Sequence, residues 1–171
     1  MSIQNLLILL LFPILSSAST HSALLPAPKQ LAVIEGMVYC QCCANAGSWS
    51  LADAKPLPLA KVGIACRDHK NRVWFYKAFQ TDTNGYYYAP IEGLDGVSQG
   101  EEEEKKKEIA GCRVHLLSSA DGDCNILTNV NMGISGAGVG LGKKIKKTES
   151  YEVVVYAAPP LAFRPGKCTR Y

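Results

Sequence analysis

Three cysteines, Cys40, Cys42 and Cys43, end an apolar run that starts at Glu35, and four more stand at 66, 112, 124 and 168. If Cys40 and Cys43 bond to distant partners, this one segment is stapled to the later parts of the chain. The residues leading into them, Gly36-Met37-Val38-Tyr39-Cys40, place β-branched and aromatic side chains at period two, the pattern of a strand with one buried face. That strand is the expected anchor of the domain. Seven cysteines in a secreted chain read as a disulfide framework with one thiol left over. Two other chemistries use such a cluster. A zinc site from Cys40 and Cys43 with His69 or His115 lacks a second closely spaced pair, and an oxidising route disfavours the thiolates it needs. A redox Cys-x-x-Cys opens a helix after a strand in a β/α alternation, which this chain lacks.

Secretion is read from the N-terminus. Residues 6–15 are nearly all Leu and Ile, and Ser16-Ser17-Ala18 supplies the small side chains that signal peptidase needs. The run is about ten residues against the roughly twenty that a bilayer requires. We therefore expect a signal peptide over 1–18, with Ala23 as a second cleavage point, a short exposed leader over 19–31, and a disulfide-stapled β domain over 32–171. What remains suits one core. The net charge of +3 lies wholly in the mature part, an excess too mild for a nucleic-acid partner and compatible with an acidic one.

Further along, residues 44–58 carry Gly47, Asp53, Pro56 and Pro58 and read as a loop, with Trp49 either exposed for contact or, as the preferred reading, filling the core. Residues 59–66, 73–80, 86–90, 112–116 and 151–156 read as strands, and Asn84-Gly85 carries the signature of a hairpin between the second and third of these. The run Glu101-Glu102-Glu103-Glu104-Lys105-Lys106-Lys107-Glu108 reads as a solvated insertion, residues 125–142 as irregular, and 161–168 as a tethered tail. Gly136 to Gly142 lacks the lysine and serine of a phosphate loop, so no nucleotide and no cofactor is expected. The order of these strands and turns resembles transthyretin-like β-sandwiches. The expected fold is all-β, about seven antiparallel strands in a sandwich or flattened barrel.

The blocks also resemble one family. Gly36-Met37-Val38-Tyr39-Cys40-Gln41-Cys42-Cys43 is similar to its Gly-x-Val-Tyr-Cys-Asp-x-Cys motif, with Gln41 for the acidic residue and Cys42 added. Cys112-Arg113-Val114-His115-Leu116 before Cys124, then Thr128-Asn129-Val130-Asn131-Met132-Gly133, then Pro160-Leu161-Ala162-Phe163-Arg164-Pro165 before Cys168 follow in family order. This is the plant pollen allergen (Ole e I type) and extensin-like family, with its cysteine-containing proline-rich and arabinogalactan-type wall proteins. The resemblance implies bridges Cys40 with Cys124, Cys43 with Cys168 and Cys66 with Cys112, leaving Cys42 free. Because Cys42 and Cys43 are adjacent, Cys42 remains an alternative partner for Cys168.

The resemblance further implies a secreted, non-enzymatic cell-wall or apoplast protein holding pectin or arabinogalactan polysaccharide. Lys143, Lys144, Lys146 and Lys147 with Arg164, Lys167 and Arg170 offer one cationic surface, and Tyr86 to Tyr88 offer rings to stack on sugars. The competing class is an active secreted protein. For a hydrolase there is no Gly-x-Ser-x-Gly elbow and no His-Glu-x-x-His pair, and Asp121 and Asp123 suit a turn better than acid–base work. A protease inhibitor needs an exposed reactive loop, for which Lys55-Pro56 and Arg67-Asp68 are the candidates.

Overall fold

β1 (Lys29–Cys40) is flanked by other strands along most of its length. The structure, a computed structural model, describes residues 29–92, 109–147 and 151–168. The expected signal peptide, the leader as far as residue 28 and the 101–108 charge run lie outside the described residues. β1 itself begins at Lys29, so the expected leader ends three residues early: Lys29 to Leu31 already pair with Tyr151 to Val153.

On one side of β1 runs β5 (Tyr86–Ile91), antiparallel, continued at the far end by the two-residue β2 (Lys55–Pro56). On the other run β10 (Tyr151–Ala157) and then β11 (Leu161–Arg164), both parallel to β1. β10 and β11 act as one partner strand interrupted at Ala158-Pro159-Pro160, where proline supplies no N–H to a ladder. The wholly antiparallel sheet expected from sequence is therefore mixed. Beyond them on the same side of β1, β9 (Gly140–Lys147) pairs with β10 and β7 (Ile126–Leu127) with β11.

A second sheet runs β4 (Val73–Gln80), β3 (Lys61–Arg67), β6 (Cys112–Ser118) and β8 (Ala137–Gly138). Two packed sheets make a sandwich and not a closed barrel. The eleven strands among the described residues exceed the roughly seven expected because three are two-residue pairings and because β9 and β11 arise where a loop and a tail were expected. β11 is part of the core: Leu161, Ala162 and Phe163 have no exposure.

Asn84-Gly85 makes the expected tight turn, but β4 and β5 belong to different sheets, so the turn is a corner and not a hairpin. Gly85 sits at φ +71 with its ideal Cβ position 2.6 Å from the Val38 carbonyl oxygen and 2.8 Å from Leu57 N. Any side chain there would break the seam against β1. Between the sheets lie Ile34, Val38, Val62, Ile64, Val114, Leu161 and Phe163, all fully buried. Cys66 and Cys112 are paired across β3 and β6 inside this core.

Candidate binding site

At the Cys40 end of β1 the chain is cross-linked twice, Cys40 to Cys124 and Cys43 to Cys168. Cys42 is unpaired and half-buried; its Sγ accepts from Asn45 Nδ2 at 3.3 Å and donates to the Ala52 carbonyl at 3.6 Å. Disulfides at Cys40 and Cys43 leave no thiolates there for zinc or redox chemistry.

Between these cysteines, Gln41 is fully buried. Its backbone N–H donates to the Phe163 carbonyl at 2.8 Å, and its Nε2 donates to the carbonyls of Ser48 at 3.0 Å and Ser50 at 2.8 Å. Those two carbonyls flank Trp49. The amide thus pins both neighbours of the indole, and a turn through Gly47 at φ +85 sets the loop's direction. Trp49 is turned outward, 70% exposed, and does not fill the core as expected. Gln41 Oε1 is buried and accepts no hydrogen bond among the described residues.

The facing wall is the segment after β7. Thr128 Oγ1 donates to the Ala162 carbonyl at 2.6 Å, and Asn129 Oδ1 accepts from the backbone N–H groups of Ile134 and Ser135 at 3.1 and 3.0 Å. Arg164, at the end of β11, is half-buried and makes no ion pair among the described residues. Gln41, Ser48, Trp49, Thr128, Asn129 and Arg164 line a cavity of about 280 Å³ together with Gly47 and Val130. Among the described residues Arg164 is its one charged lining residue.

The expected cationic surface is divided. Lys146 and Lys147 pair with Val153 and Glu152, which lie opposite Leu31 and Gln30 at the start of β1. Lys143 and Lys144 belong to the same edge strand. Arg164 follows Phe163, which lies opposite Cys40, nine residues on from Leu31 and about 30 Å along the strand at an ordinary rise. Lys167 is exposed beside Cys168, and Arg170 lies outside the described residues. Tyr86 to Tyr88 are no stacking surface either: Tyr87 is buried at 1%, Tyr86 is half-buried, and Tyr88 alone is exposed.

The inhibitor and hydrolase candidates are occupied structurally. Lys55-Pro56 is β2, paired to β1, and Arg67-Asp68 enters a tight turn in which Asp68 binds Arg72. Asp121 Oδ1 accepts from Asp123 N at 2.8 Å within a turn. His115 Nδ1 lies 3.2 Å from the Ile134 carbonyl, and His69 is exposed between β3 and β4. Sequence reasoning noted Gln41 only as a replacement in a motif and gave it no role; the signal was a long amide standing between Cys40 and Cys42.

No family model matches the chain. A non-classical arabinogalactan protein 30 of Arabidopsis thaliana is 30% identical over 145 residues, covering 80% of this chain and 54% of that protein. A pistil-specific extensin-like protein of Nicotiana tabacum is 30% identical over 132 residues, 76% of this chain and 27% of the tobacco protein. The chain therefore spans about half, and about a quarter, of these relatives' lengths. The crystal structure of the major plantain pollen allergen Pla l 1 superposes with TM-score 0.56 at 23% identity, covering 82% of this chain and 98% of the allergen, and so shares the fold. With its mixed sandwich, its three bridges and these relatives, the chain matches the plant pollen allergen and extensin-like family that its sequence blocks resemble.

Proposed function

We propose that this is a secreted, non-enzymatic protein of the plant cell wall or apoplast that binds acidic or arabinogalactan polysaccharide, with the lysine-bearing edge as its electrostatic contact. The observation that carries the proposal is that β9, which bears Lys143, Lys144, Lys146 and Lys147, ends its sheet. Four cations within one edge strand concentrate positive charge, which attracts a polyanion. The printed names of the relatives, an arabinogalactan protein and an extensin-like protein, support the same class of partner.

The alternative role of edge lysines is protection against strand-to-strand aggregation. Retention on immobilised polygalacturonate separates the two. Under the proposal, retention falls steeply as salt rises toward physiological strength, where exposed charges are screened beyond about 8 Å. Replacing all four lysines with Gln should abolish low-salt retention while the protein stays folded, since surface substitutions usually cost within about 0.5 kcal/mol each. A folded variant retained as well as the parent would leave the lysines only their protective role. N-terminal sequencing of protein recovered outside the cell checks cleavage after Ala18 or Ala23.

A further inference from the structure

We propose that the cavity beneath Trp49 is a subsite for a single uronate residue of an acidic wall polysaccharide. The inference rests on the polysaccharide reading above and adds a second, geometrically selective contact at the opposite end of β1. Three features of the cavity converge on that ligand. First, among the described residues Arg164 is the sole charged one that lines it, none of the lining residues carries a carboxylate, and the guanidinium has no ionic partner, so the cavity favours an anion. A guanidinium's planar fork matches a carboxylate in two parallel hydrogen bonds.

Second, Gln41 Oε1 is buried, lacks a donor, and belongs to a side chain that lines the cavity. Leaving such an acceptor unpaired is costly, about 1–3 kcal/mol, and a ligand hydroxyl supplies what it lacks. An anion without hydroxyls, such as sulfate, would satisfy the guanidinium alone. Third, Trp49 is held outward by the two Gln41 hydrogen bonds on either side of it, rather than by burial of the ring. An indole fixed by its backbone, with its face in water, suits the apolar C–H face of a pyranose ring. Carboxylate, hydroxyl and apolar ring face occur together in a uronic acid. The volume, about 280 Å³, is at the low end for ligand cavities and suits one sugar residue better than a longer stretch of chain.

Trigalacturonate titrated into the mature protein and followed by calorimetry tests the assignment, with galactotriose as the uncharged control. Saturable binding of trigalacturonate is expected, weaker by about tenfold or more in Trp49→Ala and in Arg164→Gln, and weaker to a similar degree for galactotriose with the parent. Arg164→Lys keeps the charge without the fork and should fall between. Trp49→Tyr should keep binding but lose the ligand-induced change in tryptophan emission, because the remaining Trp74 lines no part of the cavity. Circular dichroism establishes that each variant is folded, and exposed Trp49 makes its variants safe where Arg164→Gln is not. Equal binding by parent, Trp49→Ala and a folded Arg164→Gln would overturn the subsite while polymer retention left the broader reading intact; equal affinity for galactotriose would overturn its uronate selectivity. Failure of the parent to bind either trigalacturonate or polygalacturonate would sink both readings at once.

Discussion

The two ends of β1 are built on different principles. At the Leu31 end the strand is held by backbone pairing to β10 and β5, and the nearby edge strand β9 contains four lysines. At the Cys40 end, pairing shrinks to short stretches of β11 and β2, and two disulfides take over. Charge gathered on an edge strand reads a polymer by its charge and tolerates movement. A cavity with a pinned indole and a buried amide reads one residue by shape, and needs its walls fixed. The covalent bonds are concentrated where geometry has to be held.

Breaking that arrangement has the largest expected effect. The bridges Cys40–Cys124 and Cys43–Cys168 span 84 and 125 residues, so each stabilises by about 4–5 kcal/mol in the chain-entropy model. Against a total of about 5–15 kcal/mol for a domain, losing either leaves the fold marginal. Cys43→Ala/Cys168→Ala should fall far in denaturant midpoint and lose trigalacturonate binding, while whatever remains folded keeps low-salt retention on polygalacturonate. Hydrogen exchange would locate the damage: faster around Gln41 and Phe163, little changed between Leu31 and Val153. Uniform acceleration would mean that the two ends are one unit.

A smaller effect is expected where the two halves of β1 meet. Gly36 lies beneath the Tyr87 ring, and an added Cβ would come 2.6 Å from its Cζ and 2.9 Å from its Cε1. Overpacking of this kind costs about 1–3 kcal/mol. Gly36→Ala should therefore lower the melting temperature, whereas Tyr87→Phe should not, because the Tyr87 hydroxyl is buried with no partner among the described residues. Burial chiefly pushes that phenol upward, with a smaller contribution from Tyr86. A Tyr87→Phe protein that melted well below the parent would show that the hydroxyl is satisfied in solution.

How far the sequence carries can be judged from individual strands. β3, β4, β5, β6 and β10 were legible because alternation is a local property, and the Asn84-Gly85 turn was legible for the same reason. Whether that turn joins two strands of one sheet or carries the chain between sheets depends on partners far away in sequence, and there the local signal misleads. β11 was missed because Leu161-Ala162-Phe163 is covered on every side and shows no alternation. Trp49 was misplaced because composition favours burying an indole, and only the hydrogen bonds of Gln41 to Ser48 and Ser50 turn it outward. Lys146 and Arg164 stand eighteen positions apart in sequence, yet their registers on β1 differ by about 30 Å.

Smaller again is the hydrogen bond from Tyr86 Oη to Glu35 Oε2, 2.7 Å, on the half of β1 without disulfides. Desolvation, then the Glu35 carboxylate, raises the Tyr86 phenol above its ordinary value of 10.0. A group raised in the folded state contributes stability that is complete below its unfolded value and is lost as pH climbs from there through the folded one. Tyr86→Phe should cost about 1 kcal/mol at neutral pH and flatten the decline of stability above pH 10. An unchanged alkaline limb would assign that decline to other phenols.

The smallest effect lies on the other sheet, in the turn between β3 and β4. The backbone N–H and then the Nε of Arg72 hold the Asp68 carboxyl down at about 2, against 3.8 ordinarily, with a further backbone N–H from Lys70. A depressed carboxyl gives stability present above its unfolded value and lost as pH falls from there through about 2. Asp68→Asn should therefore leave stability near pH 2 almost unchanged and lower it slightly at neutral pH, removing part of the acid slope. With the Arg72 guanidinium exposed and screened, the Asp68–Arg72 pair should move the unfolding midpoint only a little. Its use is diagnostic. Asp68 belongs to neither end of β1, so acid acting through it biases the whole domain, and a two-state domain should report the same midpoint from Trp49 emission and from backbone circular dichroism. If the Trp49 signal is lost at a different pH from the β-sheet signal, the disulfide-held end unfolds apart from the paired end, and the division between them is thermodynamic as well as geometric.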